Sequence, residues 1–407
     1  MTARSARTPA VGFIFITYVL VVLGFGVLIP VLPRLITQFR GGDVSDGSHA
    51  YGALIGTFAL MQFLAAPVLG ALSDRFGRRR VILISLAGSA IDYLVMGFAP
   101  TLGWFFLARC ISGLTAGSIT AANAYMADVT PPERRAQNFG LLGAAFGLGL
   151  VLGPVVGGLL GAHDLRYPFF AAAGLAGLNW LYGFFVLPES LPPENRRPFS
   201  WQRANPVGAL LALRRFRIVL PLAGAHLLGM LAQLAVQSTW VLYTGYRFGW
   251  DTRQIGLSLA LVGTMGVLVQ GGLVRRAVPW LGERRCMIVG LVISAVMLTC
   301  FGLTAQGWMI YVLIPFGALA NIAPPALQGM VSRHVPATEQ GALQGALAGL
   351  GSLAGVIAPP AAAWSFGYCI DSGHGWQLPG VAFFGAAVLQ LGALVVVLRS
   401  CRQLHEA

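Results

Sequence analysis

The chain has 407 residues, 56% of them hydrophobic and only 10% charged, with a mean hydropathy of +0.73. A water-soluble domain, which carries about a quarter of its residues charged, is excluded by that composition. The net charge of +13 rests on 27 basic residues, all arginine and dispersed among short loops, so it reads as an orientation signal and not as a nucleic-acid patch.

Twelve apolar runs of membrane-spanning length follow one another, near 11–32, 51–72, 81–99, 103–125, 137–160, 168–187, 218–242, 255–274, 286–304, 308–331, 341–364 and 379–399. Each is about long enough to cross a ~30 Å hydrocarbon layer. The first follows Arg4 and Arg7; it exceeds a signal-peptide core and lacks a small-residue cleavage site, so it is expected to remain as a span. Threading the runs up and down puts both termini on one side with 21 arginines, against five (Arg34, Arg40, Arg166, Arg247, Arg253) opposite and Arg109 within a span. The arginine-rich side is therefore expected to be cytoplasmic. The predicted fold class is an all-α membrane protein of two six-helix bundles, 1–187 and 218–407, joined by a cytoplasmic linker at 188–217 rich in Pro, Arg and Glu.

Between the second and third runs stands Gly70-Ala71-Leu72-Ser73-Asp74-Arg75-Phe76-Gly77-Arg78-Arg79-Arg80. Gly70 and Gly77 permit close approach and a tight turn. Asp74 ends a helix, where the dipole disfavours a carboxylate, and is better placed facing the N-terminus of another helix. Such a contact would latch two helices and release them when the protein changes shape. The pattern G-x-L-x-D-R-x-G-R-R resembles the loop between the second and third helices of the major facilitator superfamily. That resemblance implies a gating role for Gly70, Asp74, Arg75, Gly77, Arg78 and Arg79, and a transporter fold with the substrate cavity at mid-membrane.

Asp92 in the third span and Arg109 in the fourth lie eight residues before and nine after Pro100. At 1.5 Å per residue both sit about 12–14 Å below that turn and pair if their faces meet. A charge at mid-bilayer costs more than ~2.5 kcal/mol even on the most lenient scale, so each needs a partner. Two readings stand: a static ion pair fixing the hairpin, or a carboxylate that takes up and releases a proton beside an arginine that tunes it.

On the fifth span Gly140, Gly149, Gly153, Pro154, Gly157 and Gly158 give G-x8-G-x3-G-P-x2-G-G. Glycines four apart make a flat face for a close helix crossing, and Pro154 introduces a bend. The spacing resembles the antiporter signature of the same superfamily, which implies export. The halves read as duplicates: one offset of 205 residues aligns Pro131 with Pro336, Gly140 with Gly345 and Pro154 with Pro359. The second copy of the basic hairpin, Gly271-Gly272-Leu273 to Gly282-Glu283-Arg284-Arg285, has lost its aspartate.

Weaker polar signals complete the inventory. His226, Gln233 and Gln237 share one face of the seventh span, either lining a cavity or bonding between helices. Gln62, Asn123, Asn321 and Gln328 are single polar groups with the same two readings. The cysteines (Cys110, Cys286, Cys300, Cys369, Cys401) show no metal spacing. No catalytic residue, metal or cofactor is expected beyond a proton as coupling ion, and a monomer with both halves needs no partner chain.

Several strings resemble the tetracycline-efflux branch of drug:proton antiporters: Ile91-Asp92-Tyr93, Pro168-Phe169-Phe170-Ala171, Leu187-Pro188-Glu189-Ser190, Arg247-Phe248-Gly249-Trp250 and Pro325-Ala326-Leu327-Gln328. The resemblance implies proton coupling at Asp92 and Arg109, a substrate path past Gln62, and residence in a bacterial inner membrane. Two departures accompany it. Val21 and Ser294 stand where that branch has acids, which separates the export reading from tetracycline as its substrate. A facilitator or symporter with a structural Asp92–Arg109 pair is the alternative.

Overall fold

The computed structural model describes residues 8–131, 134–196, 198–201, 205, 220–333, 335, 340–374 and 377–406. Most of the expected linker, including Arg217, therefore lies outside the described residues, as do Arg4, Arg7, Glu133, His334, Pro336 and Glu339. Among the described residues there is no strand, and twelve helices are long and apolar enough to cross a membrane. These are α1 (Val11–Phe39), α2 (Val44–Phe76), α3 (Arg78–Phe98), α4 (Leu102–Val129), α5 (Asn138–His163) and α6 (Tyr167–Val186), then α7 (Leu220–Phe248), α8 (Thr252–Leu281), α9 (Glu283–Leu303), α10 (Gly307–Val331), α11 (Leu343–Ile370) and α12 (Val381–Ser400).

Several spans outrun the hydropathy windows because polar turns are continued as helix. α2 begins at Val44, ahead of the apolar run, after Asp43 Oδ1 accepts the amides of Ser45 and Asp46 at 2.7 and 3.2 Å and so satisfies free N–H groups of the first turn. Other spans are interrupted. A turn at 29–31 breaks α1, a turn at 116–117 breaks α4, and Leu319–Ile322 of α10 tightens to a 3₁₀ turn.

The chain packs as two compact units, one of Met1–Leu35, Thr57–Pro206 and Thr252–Ala260, the other of Ile36–Gly56, Val207–Asp251 and Leu261–Ala407. The first unit has a core of Phe13, Ile14, Tyr18, Val81, Ile82, Tyr125 and Leu142 among others. Its tightest seam is α1 on α5. A side chain at Gly153 would stand 2.7 Å from Gly26 Cα, one at Gly149 2.8 Å from Val22 Cβ, and one at Gly157 would overlap the Val27 carbonyl. Three glycines spaced by four thus let two backbones touch, where only small residues permit it. The second unit has its own core around Leu222, Met287, Leu343 and Val397, and its glycine Gly290 lies against Ala320 and Ala323 of α10.

Local conformation repeats at the offset of 205 residues. Gly77 and Gly282 both precede a helix with φ of 102° and 79° and ψ of 155° and 156°, a backbone region essentially reserved for glycine. Ala99 and Thr304 cap those helices with the same geometry, each amide donating to the carbonyl three residues back (Met96, Phe301). Thr101 and Gln306 open the next helices in extended conformation. Gly97 lies against the Phe170 ring and Gly302 against the Phe384 ring. Asp92 and Arg109 do not repeat: Met297 and Ile314 stand at their offset positions.

Candidate functional site: a buried ion pair and a basic hairpin

α3 and α4 form an antiparallel hairpin around Pro100, and their facing sides bring Asp92 and Arg109 into contact. Arg109 Nη2 donates to Asp92 Oδ2, with the carboxylate fully buried and the arginine 5% exposed. The Arg109 guanidinium also sits over the Phe58 ring of α2, 5.4 Å from its centre, a contact that holds a cation without neutralising it. Ser112, on α4 next to Arg109, interacts with the same carboxylate. Asp92 Oδ1 and Arg109 Nε find no hydrogen-bond partner among the described residues. Asp92 is the acid that lies away from the span ends; Asp46, Asp74, Asp128 and Glu283 all sit within a few residues of them.

Gln62, one turn after Phe58, is half-buried where α2 crosses α4 at Gly113, whose missing side chain would stand 2.7 Å from the Phe58 carbonyl. Asn123 of α4 interacts with the Tyr18 hydroxyl of α1. In the second unit His226 is half-buried on α7 while Gln233 and Gln237 are exposed about two and three turns further along. Asn321 sits in the 3₁₀ turn of α10, and Gln328 Nε2 donates to Gln344 Oε1 at 3.2 Å, joining α10 to α11.

The basic hairpin is built around Arg78, the first residue of α3. Its Nη1 donates to Asp74 Oδ1 at 2.5 Å and Ser73 Oγ at 3.1 Å, and its Nε to Asp128 Oδ2 at 3.1 Å. Asp74 thus meets the side chain of the following helix's first residue, not the amides of a helix start. The first amide of α3 is met instead by Glu189, whose Oε1 accepts from Arg78 N at 2.8 Å and also from the amides of the next two residues, Ser190 and Leu191, at 3.0 and 3.1 Å. Ser190 Oγ in turn donates to Asp128. A glutamate at the positive end of a helix is the favoured arrangement. Glu189 lies 111 residues from Arg78, so no local spacing advertises the contact. Arg79 Nη2 donates to the Phe184 carbonyl at 2.6 Å, and Arg75 lies over the Phe76 ring. Gly77 makes the turn, whereas a side chain at Gly70 would meet nothing within 4 Å.

The glycines of α5 divide by partner. Gly149, Gly153 and Gly157 face α1; Gly158 and the Pro154 carbonyl face the start of α8 at Thr252 and Gly256, inside the first unit; a side chain at Gly140 would meet nothing within 4 Å. Sequence reasoning missed the buried pair of Thr17 Oγ1 and Asn179 Oδ1, 3.0 Å apart, that ties α1 to α6. Val21 packs against the first unit's core.

The sequence profile of the Major Facilitator Superfamily matches residues 14–359 and, in an overlapping second match, 281–400. The tetracycline resistance protein of class C from Escherichia coli is 43% identical over 84% of this chain and 86% of its own length. The class E protein of the same organism is 36% identical over 87% of each. Among solved structures, the human organic anion transporter MFSD10 (TETRAN) superposes with a TM-score of 0.72 at 25% identity, covering 96% of this chain and 99% of its own. A dozen spans, a buried acid–arginine pair and a profile match along nearly the whole chain agree: this multi-pass membrane protein belongs to the Major Facilitator Superfamily and groups with its tetracycline resistance proteins.

Proposed function

We propose that the chain is a proton-coupled exporter of a small amphipathic, drug-like compound, with tetracycline the first candidate, working by alternating access in a bacterial inner membrane. The observation that carries the reading is the buried Asp92–Arg109 pair in a chain so similar to proteins named for tetracycline resistance. A proton on Asp92 removes the charge that pairs Arg109. A buried cation without its partner costs several kcal/mol, so Arg109 must then find other support. The Phe58 ring of α2 already lies under the guanidinium, and a shift of α4 toward α2 couples protonation to helix movement. The arginine asymmetry supports both termini on the cytoplasmic side. A single chain carrying both repeats supports a working monomer.

Everted membrane vesicles loaded with the protein test this directly. Tetracycline accumulation that follows an imposed pH gradient and collapses with a protonophore is the expected result. Accumulation indifferent to the gradient overturns proton coupling. A second reading, a facilitator with a static pair, draws support from Val21 and Ser294 in place of acids; it predicts equilibration without accumulation.

A further inference from the structure

The α3–α4 seam continues from Asp92 toward the arginine-rich end of α3 as a strip of hydroxyl groups. On α3, Ser89 and Ser85 stand one and two turns before Asp92, on the same side of the helix. On α4, Ser112 and Thr115 follow Arg109 in the same direction. The seam is held open for them by glycine. A side chain at Gly88 would overlap Thr115, 2.6 Å from its Cβ, and one at Gly117 would stand 3.2 Å from Ser85 Oγ. Ser89 Oγ donates to the Ser85 carbonyl at 3.0 Å and Thr115 Oγ1 to Ile111 O at 2.9 Å, so both oxygens keep acceptor capacity. Ser85 is 1% exposed, yet its hydroxyl has no hydrogen-bond partner among the described residues; Asp92 Oδ1, at the far end, has none either. Beside them α4 breaks at 116–117, interrupting the helix where the strip passes. Two fully buried oxygens without partners, at the two ends of a hydroxylated seam, are unusual in an apolar hairpin.

We infer that this seam is the route by which a proton passes between Asp92 and the arginine-rich end of α3, relayed by Ser112, Thr115, Ser89 and Ser85 together with water entering from that end. Each oxygen accepts one proton and gives up its own to the next, so one proton moves and no hydroxyl is consumed. Over about 10 Å, the rise of seven helical residues, about four such hand-offs of roughly 2.8 Å each suffice. Arg109 is the charged group facing Asp92 from α4, and Phe58 of α2 closes the other side of the guanidinium. This inference rests on the proton-coupling reading above and adds the path.

The test uses the full chain in proteoliposomes, with tetracycline as probe and an internal pH-sensitive dye. Ser85→Ala and Thr115→Val remove a hydroxyl with little change of shape, and Thr115→Ser restores it. The expected result is proton flux slowed tenfold or more in Ser85→Ala and Thr115→Val and kept within twofold in Thr115→Ser. Tetracycline exchange at equal pH, which moves no net protons, should stay within twofold in all three. Proton flux in Ser85→Ala and Thr115→Val within twofold of the parent, while Asp92→Asn abolishes it, overturns the route alone. Exchange and proton flux falling together overturns it too, because the hydroxyls then serve packing. Absence of tetracycline-linked proton flux in the parent protein overturns the coupling reading and the route with it.

Discussion

Replacing Arg109 by Ile leaves the Asp92 carboxylate buried without its cation. Asp92 is fully buried and its Oδ1 already has no hydrogen-bond partner among the described residues, so little remains to offset the charge. Removing one partner of such a pair costs about 3–5 kcal/mol, whereas replacing both by apolar residues of similar volume is often neutral or stabilising. The repeat supplies the apolar solution: Met297 and Ile314 occupy the offset positions in the second unit. Arg109→Ile alone should therefore lower the unfolding temperature by roughly 10 °C, taking a unit of some 200 residues as the reference for about 2–4 °C per kcal/mol. Asp92→Met with Arg109→Ile should recover most of that loss and yet transport nothing against a gradient. Tryptophan fluorescence during heating in detergent measures the first, and vesicle accumulation the second. A single variant as stable as the parent, or a double variant as unstable as the single, would refute the electrostatic account of the hairpin.

Other expectations concern packing and turns. Gly157→Ala places a methyl on the Val27 carbonyl and should cost about 1–3 kcal/mol, seen as a lower unfolding temperature, while Gly143→Ala, with open space at that point, should gain up to about 1 kcal/mol. Gly282→Ala isolates the backbone contribution of a positive-φ turn, because nothing lies within 4 Å; about 1–3 kcal/mol of lost stability is expected, and a neutral result would contradict the assigned conformation. Glu189→Ala removes the acceptor for the first amide of α3 and for the two amides that follow residue 189, and should cost about 1–2 kcal/mol, with faster hydrogen exchange at Arg78, Ser190 and Leu191 as its specific signature. Unchanged exchange there would show that the cap does not form in the membrane.

What the sequence made readable follows from the membrane as solvent. A bilayer requires every backbone group to be bonded within its span, so hydropathy located each of the twelve helices, missing only polar end turns such as Val44–His49 that continue as helix. The Asp92–Arg109 pairing was within reach because both residues lie in one hairpin and depth follows from residue count. The glycine ladder of α5 announced a close crossing by its spacing of four, but not that α1 is the partner: nothing local distinguishes one small-residue face from another. Contacts between distant segments were out of reach for the same reason. Glu189 at the start of α3 and Asn179 against Thr17 are polar residues whose partners lie 111 and 162 positions away. Ser85 carried no signal either, since a serine in an apolar helix usually bonds its own backbone.

The central claim is that Asp92 carries the coupled proton. Asp92→Asn keeps the shape and the hydrogen bond to Arg109 while removing the titration. In proteoliposomes under an inward-acid gradient, the account predicts that the variant still exchanges tetracycline at equal pH but shows no gradient-driven accumulation. Accumulation equal to that of the parent protein would contradict it.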